Sequence, residues 1–280
     1  MQQHELLGRF AGYLSVAIAL SGCGGDSGAS SYGSSVIAAA RSDTQAAPSG
    51  TVNGRISEFF FVSPPDEGFR GRTYAEWETS FWQWTLSQPI GGPFPQPFDD
   101  CNRPISAAQR GPVWYWSAPM GAPVSCDQTA TPIPQGTAIF LTILNIESSS
   151  LDDPDMPPFR QLSETGQREV ATKYASRIEN VFCRIDGNSV PNLPSFLIQT
   201  KQFSFVAPRP WIFNRSGLGG QGTAVGSGYF LMVADLSAGE HTIEYGGKFH
   251  FLDGDFGPGS LAFDLPQNVT LRIQVGRTPH

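Results

Sequence analysis

Val181-Phe182-Cys183-Arg184-Ile185-Asp186-Gly187 is the stretch on which the reading of the fold turns. Side chains alternate along an extended chain, so Cys183 faces away from Phe182, and Asp186-Gly187 supplies the residue pair that a tight hairpin turn favours. Immediately upstream, Ser163 to Asn180 reads as a helix with Val170, Tyr174 and Ile178 on one stripe. The hydrophobic period thus drops from about 3.6 residues to about 2 at this point. Further strands are predicted over Phe196–Val206, Tyr229–Leu236, His241–Tyr245, Lys248–Leu252 and Val269–Val275, with Thr137–Leu144 ahead of the helix. Charged residues make up only 15% of the chain against 31 Gly and 23 Pro, which favours short strands and turns over long surface helices. Strands separated by Gly, Pro and Asn clusters, without regularly interleaved helices, predict a mainly β fold: an antiparallel β-sandwich or jelly roll with two helices packed on it.

The other helix opens at Thr73-Tyr74-Ala75-Glu76, a capping box whose hydroxyl and carboxylate can each satisfy a free amide of the first turn. From Tyr74 to Leu86 the residues Tyr74, Trp77, Phe81 and Trp84 share a face, Trp82 lies beside that stripe near Glu78, and Glu76 and Gln83 point away. The stripe is expected to be core. Trp82 and Glu78, with Trp114 and Trp116 on an alternating strand, are the candidates for ligand contact, since indole faces offer large rigid surfaces to sugars or apolar molecules.

The helix Tyr74-x-x-Trp77-x-x-x-Phe81-Trp82-x-Trp84, then Gly111-Pro112-Val113-Trp114, a cysteine pair, Ile143-Leu144-Asn145, Asp186-Gly187 and Gly239-Glu240-His241-Thr242-Ile243, resembles a family of uncharacterised secreted bacterial proteins. The resemblance covers most of residues 70 to 250. Members usually carry tryptophan where this chain has Phe81. It implies a fold and a compartment and supplies no catalytic residues.

The N-terminal region speaks to the same compartment. Phe10 to Leu20 is an apolar run long enough for a signal segment and too short to span a bilayer, preceded by Arg9 and followed by Leu20-Ser21-Gly22-Cys23. These four residues resemble the lipobox of bacterial lipoproteins, which implies a signal peptide over 1–22 and lipidation of Cys23. Residues 23–52 then form the lipidated cysteine and a Gly/Ser- and Ala-rich tether, with a reach on the order of 30 Å. Residues 53–280 are expected to be a single β-rich domain. The expected localisation is the cell envelope, extracytoplasmic, and the outer membrane if the host is Gram-negative.

Outside the cytoplasm a disulfide is permitted, and Cys101 and Cys126 flank a Pro- and Gly-containing segment that a cross-link would restrain. Cys183 is left as a small buried hydrophobe. The net charge of −7 is unchanged by loss of the signal segment, which carries one Glu and one Arg. Such a surface argues against nucleic acid and against electrostatic attachment to anionic lipid, leaving the lipid on Cys23 as the membrane contact.

Chemistry is thinly signalled. Glu147 and the cluster Asp152, Asp153 and Asp155 could place an acid and a base around a glycosidic bond, and His241 could serve as a base. No G-x-S-x-G, H-E-x-x-H or C-x-x-C is present. Asp153-Pro154-Asp155 and Asp253-Gly254-Asp255 carry alternate carboxylates without the full pattern of a calcium loop, so neither a metal nor a cofactor is expected. Three functions remain open. A binding or interaction module for a glycan, small molecule or envelope partner stands ahead of a carboxylate-dependent polysaccharide hydrolase or lyase, and of a structural envelope component.

Overall fold

The computed structural model describes residues 60–119, 123–155 and 158–276. The expected signal segment, Cys23 and the tether lie outside the described residues. Eleven described strands form two sheets: β1 (Phe61–Val62), β2 (Val113–Trp116), β3 (Val124–Ile133), β4 (Ala138–Ser149), β5 (Ile178–Ile185), β6 (Asn188–Ser189), β7 (Leu197–Gln199), β8 (Phe203–Ala207), β9 (Gly220–Ala234), β10 (Gly239–Phe251) and β11 (Phe263–Val275). Two α-helices, α1 (Tyr74–Leu86) and α2 (Glu164–Ala175), and a 3-10 turn at Leu193–Phe196 are the helical elements among the described residues.

In sheet one the long strand β9 is bordered on one side by β4, followed by β2, and on the other by the short strands β1, β7 and β8 in turn. Sheet two runs β3-β11-β10-β5-β6. The core pairings are antiparallel, but β2 runs parallel to β4 and β3 parallel to β11. Alternation along one strand cannot reveal those directions, because it records which face is buried and not which neighbour is paired.

The sheets stack as a sandwich. Ile139, Leu141, Leu231 and Val233 of sheet one and Ile185, Ile243 and Leu271 of sheet two belong to one buried cluster. On the other face of sheet one Phe140 and Phe230 are diagonal cross-strand neighbours, offset by two residues, and they stack at 5.2 Å under α1, where Tyr74 and Phe81 meet them edge-on. Sheet one is therefore buried on both faces, which is why Ala138–Leu144 is continuously buried instead of alternating. The helix α2 contributes to a second cluster with Leu144, Phe249 and Phe251.

Local chemistry accounts for the element ends. The capping box at α1 forms in full, with the Thr73 side chain accepting from the Glu76 amide and the Glu76 carboxylate from the Thr73 amide. Ser163 caps α2 through the Gly166 amide, and that helix ends at Ala175, so β5 starts at Ile178, three residues earlier than expected. At the hairpin Asp186 and Gly187 have φ of 50° and 79°, the paired positive values that a two-residue turn demands. The predicted strand over Phe196–Val206 is broken into the 3-10 turn, β7 and β8. The two runs His241–Tyr245 and Lys248–Leu252 instead join as β10, with a register shift between Gly246 and Lys248. Cys101 and Cys126 are disulfide-bonded, tying the segment before β2 to β3.

Candidate functional site

The aromatic helix does not present a stacking platform. Trp82, expected to lie beside the stripe and reach a ligand, is only 1% exposed. Its indole NH donates to Glu78 Oε1 at 3.3 Å, and Glu78 is wholly buried. A Cβ on Gly226 of β9 would come within 2.1 Å of Trp82 Nε1, so the missing side chain at Gly226 is what admits the indole. Helical phase places Trp82 correctly relative to its stripe. Burial follows because a second layer covers that flank: Phe98 lies 6.0 Å from Trp82, and Phe213 lies 5.9 Å from Phe98. Trp116 faces the sandwich interior and donates to the Tyr245 hydroxyl at 2.9 Å, and Trp114 on the same strand face is half-buried. Tyr115, on the opposite face, packs against Phe81 and Trp84. These placements correct the reading of Trp82, Trp116 and Glu78 as surface contacts; the tryptophans share cores and not a ligand face.

The carboxylate candidates are also buried. Glu147 on β4 is opposite Gly226, so its side chain projects to the same face of sheet one as Glu78 and Trp82. The likewise buried Asp152, three residues past the end of β4 at Ser149, acts on it electrostatically, and Asp152 accepts the Ser149 amide at 2.9 Å. Burial first, then the charge of Asp152, pushes the Glu147 carboxyl well above the usual carboxylate range. Burial also raises Asp152 to about 7, against the pull of Glu147, the Ser149 amide and Arg160. Each acid has one buried oxygen without a hydrogen-bond partner, Glu147 Oε2 and Asp152 Oδ1. Asp153, another member of the acidic cluster named from sequence, accepts the Asp155 amide at 2.9 Å.

His241 is 3% exposed, with Nδ1 at 2.7 Å from Asp186 Oδ2 and Nε2 at 2.8 Å from the Ser237 carbonyl. Ser237 Oγ stands 3.5 Å from Nε2, giving an acid–imidazole–hydroxyl array in outline. The geometry argues against a hydrolytic triad, because Nε2 is committed to a carbonyl acceptor and cannot take a proton from the serine there. The other Asp186 oxygen accepts the Thr242 amide, so the array ties the β5–β6 turn to the start of β10. Asp186-Gly187 and Gly239 to Ile243, more than fifty residues apart in sequence, thus meet in space.

Asp255 is clasped by Arg177 and Lys173 and accepts the Leu252 amide, while Asp253 accepts the Ala262 amide. Among the described residues no group of three or more His, Cys, Asp or Glu side chains is placed to hold a metal.

One open concavity was not signalled by any motif. A groove of about 670 Å³ opens between the segment after β1 (Val62, Pro64, Pro65, Asp66) and the segment from Val190 to Ile198. Its walls come from residues 124 or more positions apart in sequence, which is why no local pattern marks it. Phe61 and Leu197, on strands that adjoin it, are 44% and 41% exposed. No protein-family model, curated protein sequence or solved structure matches this chain.

Proposed function

We propose that this protein is an envelope-located binding module, held to the membrane by a lipid on Cys23, that takes an extended apolar segment of another envelope protein in the groove beside β1. The observation that carries this reading is the groove itself: Pro64, Pro65 and Pro191 make rigid walls, Phe196 and Ile198 supply apolar contact, and Asp66, Asn192 and Ser195 provide a few polar groups. Apolar lining with sparse, fixed polar groups is the composition of binding sites in general, and prolines lose little entropy on binding. A glycan platform of tryptophans is a poorer match, since Trp82 and Trp116 are core. Polysaccharide hydrolysis through Glu147 is also poorly supported, because both it and Asp152 are enclosed.

The test uses the full chain in detergent and two probe sets, apolar extended peptides and envelope oligosaccharides, read by calorimetry. Ser195→Arg places a bulky cation in the groove from an exposed position. Peptide binding that is lost in this variant, at an unchanged melting temperature, is the expected result. Binding that persists in Ser195→Arg, or oligosaccharides as the tighter ligands, would sink the proposal.

A further inference from the structure

Arg103 poses a problem that the groove does not touch. It lies in the connection between α1 and β2, is 7% exposed, and has only uncharged hydrogen-bond partners. Nη1 donates to the Pro95 carbonyl at 2.8 Å, and Nη2 donates to Gln88 Oε1 at 2.9 Å and to the Ala107 carbonyl at 3.1 Å. Nε is buried and has no partner. A guanidinium keeps its proton under all ordinary conditions, so a full positive charge is enclosed here. Burial lowers its pKa, and no carboxylate among the described residues offsets that loss. The rings of Trp84 and Phe94, 5.7 and 5.8 Å from Cζ, stand near the outer limit of a cation–π contact and recover only part of the cost of burying a charge.

Beside the guanidinium lies a cavity of about 10 Å³, walled by Arg103 together with Trp84, Gln109, Tyr115 and Trp116. It has room for one water molecule or one monoatomic ion, and too little for a carboxylate, a phosphate or a sugar. The other polar groups on the wall are committed elsewhere. Trp84 Nε1 donates to the Ala108 carbonyl, Trp116 Nε1 to the Tyr245 hydroxyl, and the Gln109 amide both donates to and accepts from the Tyr115 backbone. Asp100, the acid on the wall, accepts from the Asn102 amide at 2.8 Å through one oxygen and from Asn102 Nδ2 at 3.0 Å through the other.

We propose that this cavity binds one monoatomic anion, chloride in ordinary media, held by the Nε–H of Arg103. The chemistry selects the ligand. A water molecule would satisfy Nε and leave the charge uncompensated, whereas a halide does both through a charge-assisted hydrogen bond. Arg103 already joins Gln88, just past the end of α1, to Pro95 and Ala107, so an anion that neutralises it stabilises the whole connection leading to β2, whatever occupies the groove.

Thermal unfolding of the full chain in detergent, with chloride exchanged for gluconate at constant ionic strength, tests this. Gluconate is too large for the cavity. Chloride is expected to raise the melting temperature by about 2–4 °C along a saturating curve, as a ligand does when it binds the folded state alone and is present at several times its dissociation constant. Bromide is expected to substitute for it. Arg103→Gln removes the charge and keeps an amide donor, and its melting temperature is expected to be the same in both salts. Should that variant fold poorly, the parent alone decides: crystals grown in bromide are expected to give an anomalous scattering peak beside Arg103 Nε. A cavity that holds water only, a parental melting temperature that is equal in the two salts or varies linearly with chloride, or a saturating response retained in Arg103→Gln would each overturn the proposal.

Discussion

Trp82 and Gly226 are complementary at the level of single atoms, and this reverses an expectation drawn from helical phase. The stripe residue Trp77 is 8% exposed, with its indole NH on the Phe69 carbonyl and Arg72 over its ring, whereas Trp82, off the stripe, is 1% exposed. Both tryptophans therefore belong to the core. Trp82→Ala is expected to lower stability by about 3–5 kcal/mol, comparable to Trp77→Ala, because each leaves a large cavity that rigid neighbours cannot close. Urea unfolding of the two variants checks this, and a parental midpoint for Trp82→Ala would contradict the packing described. Cys183 illustrates the opposite outcome. Alternation alone placed it opposite Phe182, and it is buried with its thiol pushed up to about 12 by desolvation, consistent with an inert thiol.

Among the elements, α2 is held to the loop after β10 by charge as well as by packing. Asp255 loses solvation on burial, which would raise its pKa. The Arg177 bond, the Leu252 amide and Lys173 outweigh that loss and bring it down to about 2. A depressed carboxylate contributes stability that is present above its ordinary value of 3.8 and disappears as pH falls through about 2. Asp255→Asn is accordingly expected to be less stable than the parent at neutral pH and to lose less stability between about pH 4 and about pH 2, as read by thermal melts across that range. The Cys101–Cys126 bridge acts on a different element, a connection that contains mostly turns. For a closed loop of 25 residues the chain-entropy argument gives about 3.5 kcal/mol, so a double Cys→Ser variant is expected to lose roughly that amount in denaturant titrations. An unchanged midpoint would mean that the connection is already ordered by its other contacts, such as the Gln128 amide on the Cys101 carbonyl.

For the whole molecule, the proposed attachment by lipid is a separate matter from the fold. No described helix is long and apolar enough to cross a membrane. Cys23→Ser is expected to block lipidation, leaving unprocessed precursor or a protein that no longer partitions with membranes, measured by fractionation and by intact-mass analysis. Processing and partitioning like the parent would refute the lipobox reading.

Sequence by itself determined what depends on neighbours along the chain. The capping box at Thr73, the Asp186-Gly187 turn, the two helices, the inward placement of Cys183 and the prevalence of strands all rest on local geometry, and each is found in the structure. Tertiary structure alone decided what depends on layers brought together from afar. One periodic element reports which of its faces is apolar, but not how many other layers will cover its flanks. Trp82 became core because Phe98 and Gly226 converge on it, and Glu147 and Asp152 are enclosed where the turn after β4 brings Asp152 back onto the Ser149 amide. The parallel edge strands and the groove beside β1 are non-local in the same sense. Their partners lie far apart in the chain, and the burial of both faces of sheet one erases the alternation that would otherwise have marked its strands.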